Sequence, residues 1–500
     1  MSGNELVLSD VHLHLKHASK RNSSHSTFFR LEYSVHEPVL KRLKGTHSSV
    51  QQMDKDGDFI LNRPRKPLNL VKEICIQHTG ATALHDVGLQ VWRGECLLCD
   101  YLVHEYRTSN LSHARTFIEI GGGTSMASIV AGMVLAQEAF PPQCQSSLNL
   151  QHVETEAMMT TTDHIFHIFC TDHLVASLEA SLINLQHNMG PAQLRAVDNF
   201  KTFPRVRSNK FPLKESMSRS VLRSEGAENE QECRPVDIPA RKDSSKVQFH
   251  ARKLDWLDFT SVHDSESAEA AVRALLTAEF QEVAGIRSEN HEVAEINSDV
   301  DTHVQQDESP FNWSREDLII LKDLDLILAG DVVYEETLTE AMLKAVYALL
   351  SHVQAAQDQN VKSKHTAVAE RCKPPPRCVM AMEKRICFTL RDMECRAPAF
   401  DHFVSMVEVC GEGGPCCRAA EAGSVVQGLV SESSPASCDS GQVENVAGPD
   451  VGCIKGVEHG PKLLCGRRLI VDAIPQYLKG YERGTDLELW ELFLPKKQIM

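Results

Sequence analysis

The stretch FIEIGGGTSMAS, residues 117–128, carries the residue types most suited to holding a ligand. An apolar run ends beside Glu119 and continues through three glycines into small residues that open an apolar helix. This order predicts a strand, a tight turn and a helix N-terminus. Glycines let such a turn approach a ligand that a Cβ atom would exclude. Glu119 and the turn therefore suit a nucleotide-like cofactor, although the motif alone is not specific.

Two later apolar runs also end in acidic residues. FHIFCTD closes at Asp172, and DLILAGDVVY carries Asp331 and Tyr334. A third segment, ARKLDWL, places Trp256 just past another strand-like run. In open α/β sheets, ligands bind at the carboxyl ends of the strands. One shared cofactor pocket would explain all of these positions together with the glycine turn.

The elements that must hold these residues alternate between strand-like and helix-like patterns. A buried strand and an amphipathic helix follow each other in DLDLILAGDVVYEETLTEAMLKAVYALLSHV, and DLELWELFLP reads as a final alternating strand. The pattern predicts an α/β, Rossmann-like sheet that is mostly parallel with an antiparallel last strand. Long polar inserts, which we expect to be disordered, interrupt it at 140–162, 190–245, 262–315 and 411–460.

Composition narrows the classes of function. The formal net charge of −16 argues against direct nucleic-acid binding through bulk electrostatics. Apolar runs are too short to span a membrane, and the first residues do not have the pattern of a secretion signal. The 16 cysteines lack framework spacing, which indicates reduced thiols and a nuclear or cytoplasmic location. Residues 63–67, RPRKP, read as a solvated loop or, less well, as a nuclear import signal.

Candidate metal sites fail on spacing. The DKDGD stretch at 54–58 resembles a calcium loop, but its spacing is wrong. Gly57 stands at position 4 of such a loop, which is not the position of its glycine, and Arg65 stands at position 12, where a glutamate is required. The pair Cys96 and Cys99 has no partner pair at zinc spacing and reads as helical core. We therefore expect no metal.

Seven segments, taken together and in order, resemble seven-β-strand S-adenosylmethionine-dependent methyltransferases of the protein-lysine type. They are VWRGECLLCDYLVHE, FIEIGGGTSMASIVA, CTDHLVASLEASLINLQHN, ARKLDWL, LILAGDVVYEETLTEAM, MAMEKRICFTLRDM and YERGTDLELWEL. The resemblance implies a seven-stranded sheet and S-adenosyl-L-methionine as cofactor. It covers about half of the chain.

Cofactor-binding roles follow from this resemblance one residue at a time. Gly121 and Gly123 would line the turn under the methionine part of the cofactor, beside Glu119. Asp172 would hydrogen-bond the ribose hydroxyls, or else cap the following helix. The resemblance places Trp92 and Trp256 beside the cofactor, with core packing as the alternative for both.

Catalytic roles come from the D-x-x-Y motif. Asp331 would orient an amine, or alternatively cap the following helix, while Tyr334 would form a wall that excludes water. Glu383 would face the incoming substrate, with a salt-bridged side chain as the alternative. A lysine attacks only when it is neutral, and desolvation lowers its pKa from the usual value of about 10.4.

Two features depart from the family's pattern. Ser125 stands where a third small, glycine-like residue is usual, which we expect to weaken cofactor binding. Asp172 follows Glu119 by 53 residues, where about 20 is usual in such a βαβ unit. We assign 1–70 to a polar, partly disordered extension and 71–500 to the methyltransferase domain.

The resulting hypothesis is a protein-lysine N-methyltransferase that acts on non-histone proteins. Its partner would be a protein substrate, either a basic nucleic-acid-binding protein or a chaperone, and the enzyme would be a monomer found in nucleus and cytoplasm. A catalytically weak or inactive binding module with the same fold is the main alternative. A nicotinamide dehydrogenase fits less well because the turn lacks G-x-G-x-x-G. A methyltransferase for nucleic acids also fits less well, because the strand that carries DVVY lacks the N-P-P-Y-type signature of such enzymes.

Overall fold

The structure, a computed structural model, describes eleven stretches of the chain. They are 6–12, 24–35, 68–108, 110–111, 113–136, 165–189, 246–275, 309–363, 374–389, 393–410 and 462–495. Within these stretches no helix is long and apolar enough to cross a membrane.

A twisted eight-stranded sheet forms the centre of the molecule. Its strands are, in chain order, β5 (Thr116–Ile120), β6 (Ile165–Asp172), β7 (Lys246–Lys253), β8 (Leu326–Gly330), β9 (Arg377–Glu383), β12 (Val407–Val409), β13 (Leu464–Leu469) and β15 (Leu487–Phe493). Their spatial order is β12-β13-β15-β9-β8-β5-β6-β7. Strands β5 to β9 pair in parallel, and β15 runs antiparallel to both of its neighbours. The Rossmann-like α/β prediction with an antiparallel last strand is confirmed.

The described sheet has one strand more than the seven expected. The extra strand, β12, has three residues and pairs in parallel with β13 at the edge of the sheet. Only Val407 of this strand is buried, while Glu408 and Val409 are exposed. So short a segment lacks the alternating pattern that identifies a strand in the sequence.

Helices cover both faces of the sheet. They are α1 (Arg93–Arg107), α2 (Met126–Leu135), α3 (Val175–Asn188), α4 (Ser265–Ala274), α5 (Arg315–Leu321), α6 (Glu336–Ser363) and α7 (Pro398–Met406). One core joins α1, α2 and α3 to the first face, and a second core joins α4 to α7 to the other. The strands between them are therefore buried on both sides, as expected of parallel strands.

A second, smaller sheet lies beside α3. It consists of β2 (Ser24–Val35), β3 (Leu68–Thr79) and β14 (Leu478–Lys479), in the order β14-β2-β3. Asn184 and Asn188 on α3 hydrogen-bond the backbone of β3, with Asn184 Oδ1 accepting from Gln77 N at 2.6 Å. Strand β2 thus lies inside the predicted N-terminal extension, 1–70. The partial disorder assigned to this extension stays a prediction.

The remaining short elements lie at the edges. They are β1 (Leu6–Val7), β4 (Thr82–Ala83), the hairpin β10 (Cys387–Thr389) and β11 (Glu394–Arg396), and 3-10 helices at Asp10–His12, Leu84–Leu89, Trp256–Phe259 and Val471–Ala473. Strand β1 pairs antiparallel with β4.

Three of the four predicted inserts, 140–162, 190–245 and 411–460, lie outside the described residues, as do RPRKP and DKDGD. The fourth, 262–315, is described at both of its ends: α4 occupies residues 265–274, and Phe311 and Trp313 are buried in the core. Asp264 and Ser267 form a capping box there. The helix buries only Ala268 and Val272, so its apolar pattern is weak in an otherwise polar sequence.

Candidate functional site

The glycine turn between β5 and α2 brings three chain segments into contact. Gly121 and Gly123 both have positive φ angles, +63° and +50°. A Cβ atom at Gly121 would lie 2.7 Å from Cζ2 of Trp256, and one at Gly123 would overlap the carbonyl oxygen of Gly88. Both positions therefore require glycine for conformation and for space.

Ser125 adopts the conformation that a glycine would adopt most easily. Its φ is +56°, in the left-handed region, and it is the N-cap of α2. Its hydroxyl donates to Ser181 Oγ on α3 at 2.7 Å, and Ser181 Oγ lies 3.0 Å from the carbonyl oxygen of Gly123. The serine thus keeps the turn attached to α3 at the cost of a sparsely populated backbone conformation, a cost of about 1–3 kcal/mol.

Two buried carboxylates lie beneath this turn. Glu119 Oε2 accepts from Ser128 N at 3.1 Å, and Glu95 Oε1 accepts from Met126 N at 2.7 Å. Both stabilise the first turn of α2, where backbone N–H groups lack partners and the helix dipole favours negative charge. Glu95 was not found from the sequence because it lies on α1, 31 residues from Met126.

The same burial changes the acidity of both groups. It raises the pKa of Glu119 to about 7, and it raises the pKa of Glu95 well above the usual range, with the nearby Glu119 adding to the effect. Glu119 Oε1 is buried without a hydrogen-bond partner among the described residues. That oxygen keeps unused acceptor capacity beneath the turn.

Asp172 ends β6 directly beside the glycine turn. Its Oδ2 accepts from Gly123 N at 3.1 Å, and its Oδ1 accepts from Leu174 N at 2.9 Å. His173 Nδ1 lies 3.3 Å from Oδ1, and this hydrogen bond raises the pKa of His173. A carboxylate has about four acceptor positions, so two backbone donors leave capacity for further donors.

Asp331 joins the start of α1 to the end of β9. Its φ is +56°, its Oδ2 accepts from Gly94 N at 2.8 Å, and its Oδ1 accepts from Glu383 N at 3.0 Å. The aspartate therefore caps α1, whereas the alternative predicted a cap for the helix that follows Asp331. Arg385 Nη2 lies 3.7 Å from Oδ1.

Tyr334 lies half-buried between charged neighbours. Burial raises its pKa, negative charge on Asp172 raises it further, and the guanidinium of Arg385 lowers it. The phenol therefore stays protonated at neutral pH and lies within electrostatic reach of both residues. Arg385 also stacks on Trp92, with its guanidinium carbon 4.6 Å from the ring centroid.

The two tryptophans stand on different segments, one before α1 and one after β7. Trp92 is the N-cap of α1, and its indole Nε1 donates to the carbonyl of Val87 at 2.9 Å. Trp256 opens a 3-10 helix after β7 and packs against the turn at Gly121. Both residues are only partly buried.

Glu383 is salt-bridged, as the alternative for this residue proposed. Arg93 Nε lies 3.0 Å from its Oε2 and Arg93 Nη2 lies 2.6 Å from its Oε1. Arg93 Nη2 also contacts Asp486 at 2.5 Å. Arg93 and Asp486 were not found from the sequence because Arg93 and Glu383 lie 290 residues apart.

The described residues contain no group of three or more His, Cys, Asp or Glu side chains arranged to hold a metal ion. The nine predicted residues instead gather around the carboxyl ends of β5, β6, β8 and β9. The site thus offers a glycine turn, two aromatic flanks and buried carboxylates that keep acceptor capacity. These groups suit a polar organic cofactor with hydroxyl or amine donors.

Comparison with known proteins indicates which proteins this chain resembles. No family model matches this chain. A human protein is 23% identical over 394 residues, which is 72% of this chain and 62% of that protein. The chain is similar to methyltransferase-like protein 22. A mouse protein of the same name is 48% identical over 95 residues, 19% of this chain and 22% of the relative.

The similarity to methyltransferase-like protein 22 supports a methyltransferase-like family and agrees with the resemblance found from the sequence. The chain spans about 62% of the length of the human relative. The Rossmann-like sheet described above is consistent with that family.

Proposed function

We propose that the protein is an S-adenosylmethionine-dependent protein-lysine N-methyltransferase that acts on non-histone proteins. The observation that carries the proposal is the contact of Gly121 with Trp256 and of Gly123 with Asp172 at the carboxyl ends of parallel strands. The similarity to methyltransferase-like protein 22 over 394 residues supports the same class.

In this proposal each wall of the site binds one part of the cofactor. Asp172 accepts hydrogen bonds from the ribose hydroxyls through its remaining acceptor positions. Gly121 and Gly123 lie under the methionine part, close to Glu119, and Trp92 and Trp256 flank the bound molecule. When bound, the cofactor supplies a methyl group made electrophilic by its sulfonium.

The protein's own groups must bind a neutral amine and keep water away. Tyr334 is half-buried and protonated, so it can form an uncharged wall beside the amine. Asp331 has acceptor positions left after binding two backbone N–H groups, and its fixed carboxylate can orient the amine. Holding the reacting groups in line accounts for much of the acceleration of such reactions.

The surroundings favour a basic protein as substrate. Asp258, Glu335 and Glu336 are exposed next to Trp256 and Tyr334, and the whole chain has a net charge of −16. Complementary charge speeds the encounter of two proteins. We propose a basic nucleic-acid-binding protein or a chaperone as substrate, and a monomeric enzyme of nucleus and cytoplasm.

A catalytically weak or inactive binding module is the second candidate. Two observations favour it: Ser125 stands in a left-handed conformation, and both oxygens of Asp331 already accept backbone hydrogen bonds. A module of this kind would bind the cofactor weakly and would not methylate lysine.

Calorimetric titration with S-adenosylhomocysteine tests the proposed site. We expect the wild-type chain to bind at micromolar concentration and Asp172→Asn to lose roughly tenfold or more in affinity, because one acceptor oxygen is replaced. Asp401→Asn, at an exposed position on α7, is the matched control and should bind like wild type. A folded wild-type protein that does not bind would contradict the proposal. Binding without lysine methylation in a cell extract would favour the inactive module.

A further inference from the structure

The first described residues, 6–12, form a strap over the loop that leads into α1. This N-terminal strap comprises β1 and the 3-10 helix Asp10–His12, and the loop comprises residues 82–92. Strand β1 aligns Leu6 with Ala83 and Val7 with Thr82. The loop ends at Trp92 and contains Gly88, so the strap covers a segment that belongs to the candidate site.

Gln90 is the centre of the hydrogen bonds between strap and loop. Its Oε1 accepts from Ser9 N at 2.8 Å, and its Nε2 donates to the carbonyl of Val7 at 3.0 Å and to Thr82 Oγ1 at 2.7 Å. Ser9 Oγ donates to the carbonyl of Val91 at 2.6 Å. Gln90 is 1% exposed and Ser9 is fully buried. Removing one of these buried partners leaves another polar group unsatisfied, which is costly.

His12 fixes the backbone directly before Trp92. Its Nε2 accepts from Val91 N at 3.0 Å, and the ring is fully buried. It stacks on His78 of β3 with 4.0 Å between ring centroids, and His25 of β2 also faces His78 at 6.1 Å. An imidazole that accepts at Nε2 is neutral, so this contact depends on an uncharged His12.

The strap also contacts Arg93, the residue that follows Trp92. Asp10 Oδ2 lies 3.6 Å from Arg93 Nη2, and Arg93 holds Glu383. Within the loop, a Cβ at Gly88 would lie 3.6 Å from both Gly123 Cα and Asp172 Oδ2. The loop therefore contacts the glycine turn and Asp172, and the strap contacts the same loop.

We infer that the N-terminal strap positions the Gly88–Trp92 wall of the cofactor site, with His12 and Gln90 as its positioning residues. This inference rests on the proposed function. His12 and Gln90 act through the loop, since their described hydrogen bonds go to the loop and the strap. Loss of the strap should loosen the wall and weaken cofactor binding even though every proposed cofactor contact is kept.

The test compares three variants of the full chain. His12→Ala removes the acceptor for Val91 N, whereas His12→Gln can place an amide oxygen near the position of Nε2. His113→Ala removes an exposed histidine near the amino end of β5 and is the matched control. Two quantities are measured for each: the affinity for S-adenosylhomocysteine by calorimetry, and amide hydrogen exchange of residues 84–92 without ligand.

We expect His12→Ala to lose roughly tenfold or more in affinity and to exchange the Val91 amide roughly tenfold faster or more. His12→Gln should recover most of both, and His113→Ala should match wild type. Should His12→Ala not fold, Ser9→Ala removes the bond to the Val91 carbonyl and, within the strap, the acceptor for Val11 N at 3.3 Å, and it is expected to show a smaller shift in the same direction.

The outcomes separate this inference from the proposed function. Wild-type protein that does not bind S-adenosylhomocysteine contradicts the proposed function, and the exchange of residues 84–92 then decides alone whether the strap positions the loop. Wild-type protein that binds, with unchanged affinity in His12→Ala, overturns the inference. Unchanged exchange in His12→Ala overturns it in either case.

Discussion

The indole of Trp256 packs directly against the backbone of Gly121. A Cβ at Gly121 would lie 2.7 Å from Cζ2 of Trp256, and the φ of +63° is one that side-chain-bearing residues rarely adopt. The contact joins the segment after β7 to the turn after β5. It makes the glycine turn and the aromatic flank a single structural unit.

Gly121→Ala should damage both stability and cofactor binding. The added methyl would force Trp256 to move and would leave alanine in a left-handed conformation, which costs about 1–3 kcal/mol. We expect a loss of that size in urea unfolding and a loss of S-adenosylhomocysteine affinity by calorimetry. Gly122→Ala is the matched control, because Gly122 is not in the left-handed region and its Cβ would meet side-chain atoms only, Ser125 Oγ at 3.0 Å and Glu119 Cδ at 3.4 Å. Equal effects of the two substitutions would argue against the role of the contact.

Asp331→Asn should destabilise the fold as well as reduce activity. The amide keeps one acceptor oxygen, so either Gly94 N or Glu383 N loses its partner. A buried donor without a partner costs about 1–3 kcal/mol. Urea unfolding should show this loss, with Asp401→Asn on α7 as the control. Unchanged stability would mean that the carboxylate is not needed as a cap and would favour a purely catalytic role.

Acid should weaken the contact between the strap and the loop. Burial lowers the pKa of His12 to about 3, and it also lowers the pKa of His78. The unfolded chain therefore binds more protons than the folded one between about pH 6.5 and pH 3, so stability falls as pH falls through this window. The slope is at most about 1.4 kcal/mol per pH unit for each histidine.

Urea unfolding between pH 7 and pH 5 measures this effect. His12→Gln should be less sensitive to pH than wild type, because it cannot take up the proton. His113→Ala, at an exposed site, should keep the wild-type sensitivity. Identical pH dependence in wild type and His12→Gln would show that His12 is not held neutral by the fold.

Glu119 should have the opposite pH dependence. Burial raises its folded pKa to about 7, so the folded state binds more protons than the unfolded state between about pH 4.5 and pH 7. The stabilisation exists at low pH and is lost as pH rises, by at most about 1.4 kcal/mol per pH unit. Glu119→Gln removes this loss, and its amide oxygen can still accept from Ser128 N.

We therefore expect the stability of Glu119→Gln relative to wild type to increase from pH 4.5 to pH 7. Chemical unfolding at several pH values measures this difference. Glu394→Gln, at an exposed position on β11, is the control and should show no such trend. A constant difference across the range would contradict a raised pKa at Glu119.

The sequence predicted the sheet and the place of the acidic residues because both depend on local patterns. Continuous apolar runs mark buried parallel strands, and Asp172 and Asp331 follow two of them directly. The carboxyl ends of such strands meet at one edge, which brought the predicted residues together. The glycine turn was recognisable for the same reason.

Partners distant in sequence could not be predicted in this way. Arg93 pairs with Glu383 across 290 residues, and Gln90 binds Ser9 across 81, so no local pattern indicates either pair. The left-handed conformation of Ser125 and the cap that Asp331 provides for α1 depend on the tertiary packing around them. These long-range contacts engage the carboxylates of Glu383 and Asp331 and attach residues 6–12 to the loop before α1.

Photo-crosslinking of tritiated S-adenosylmethionine, followed by peptide mapping, shows whether the cofactor binds at the glycine turn. We expect saturable labelling of peptides that contain Trp92, the Gly121–Gly123 turn or Trp256, with competition by S-adenosylhomocysteine and loss in Gly121→Ala. Labelling that does not saturate, or that maps to peptides away from the carboxyl ends of β5 to β9, would contradict it.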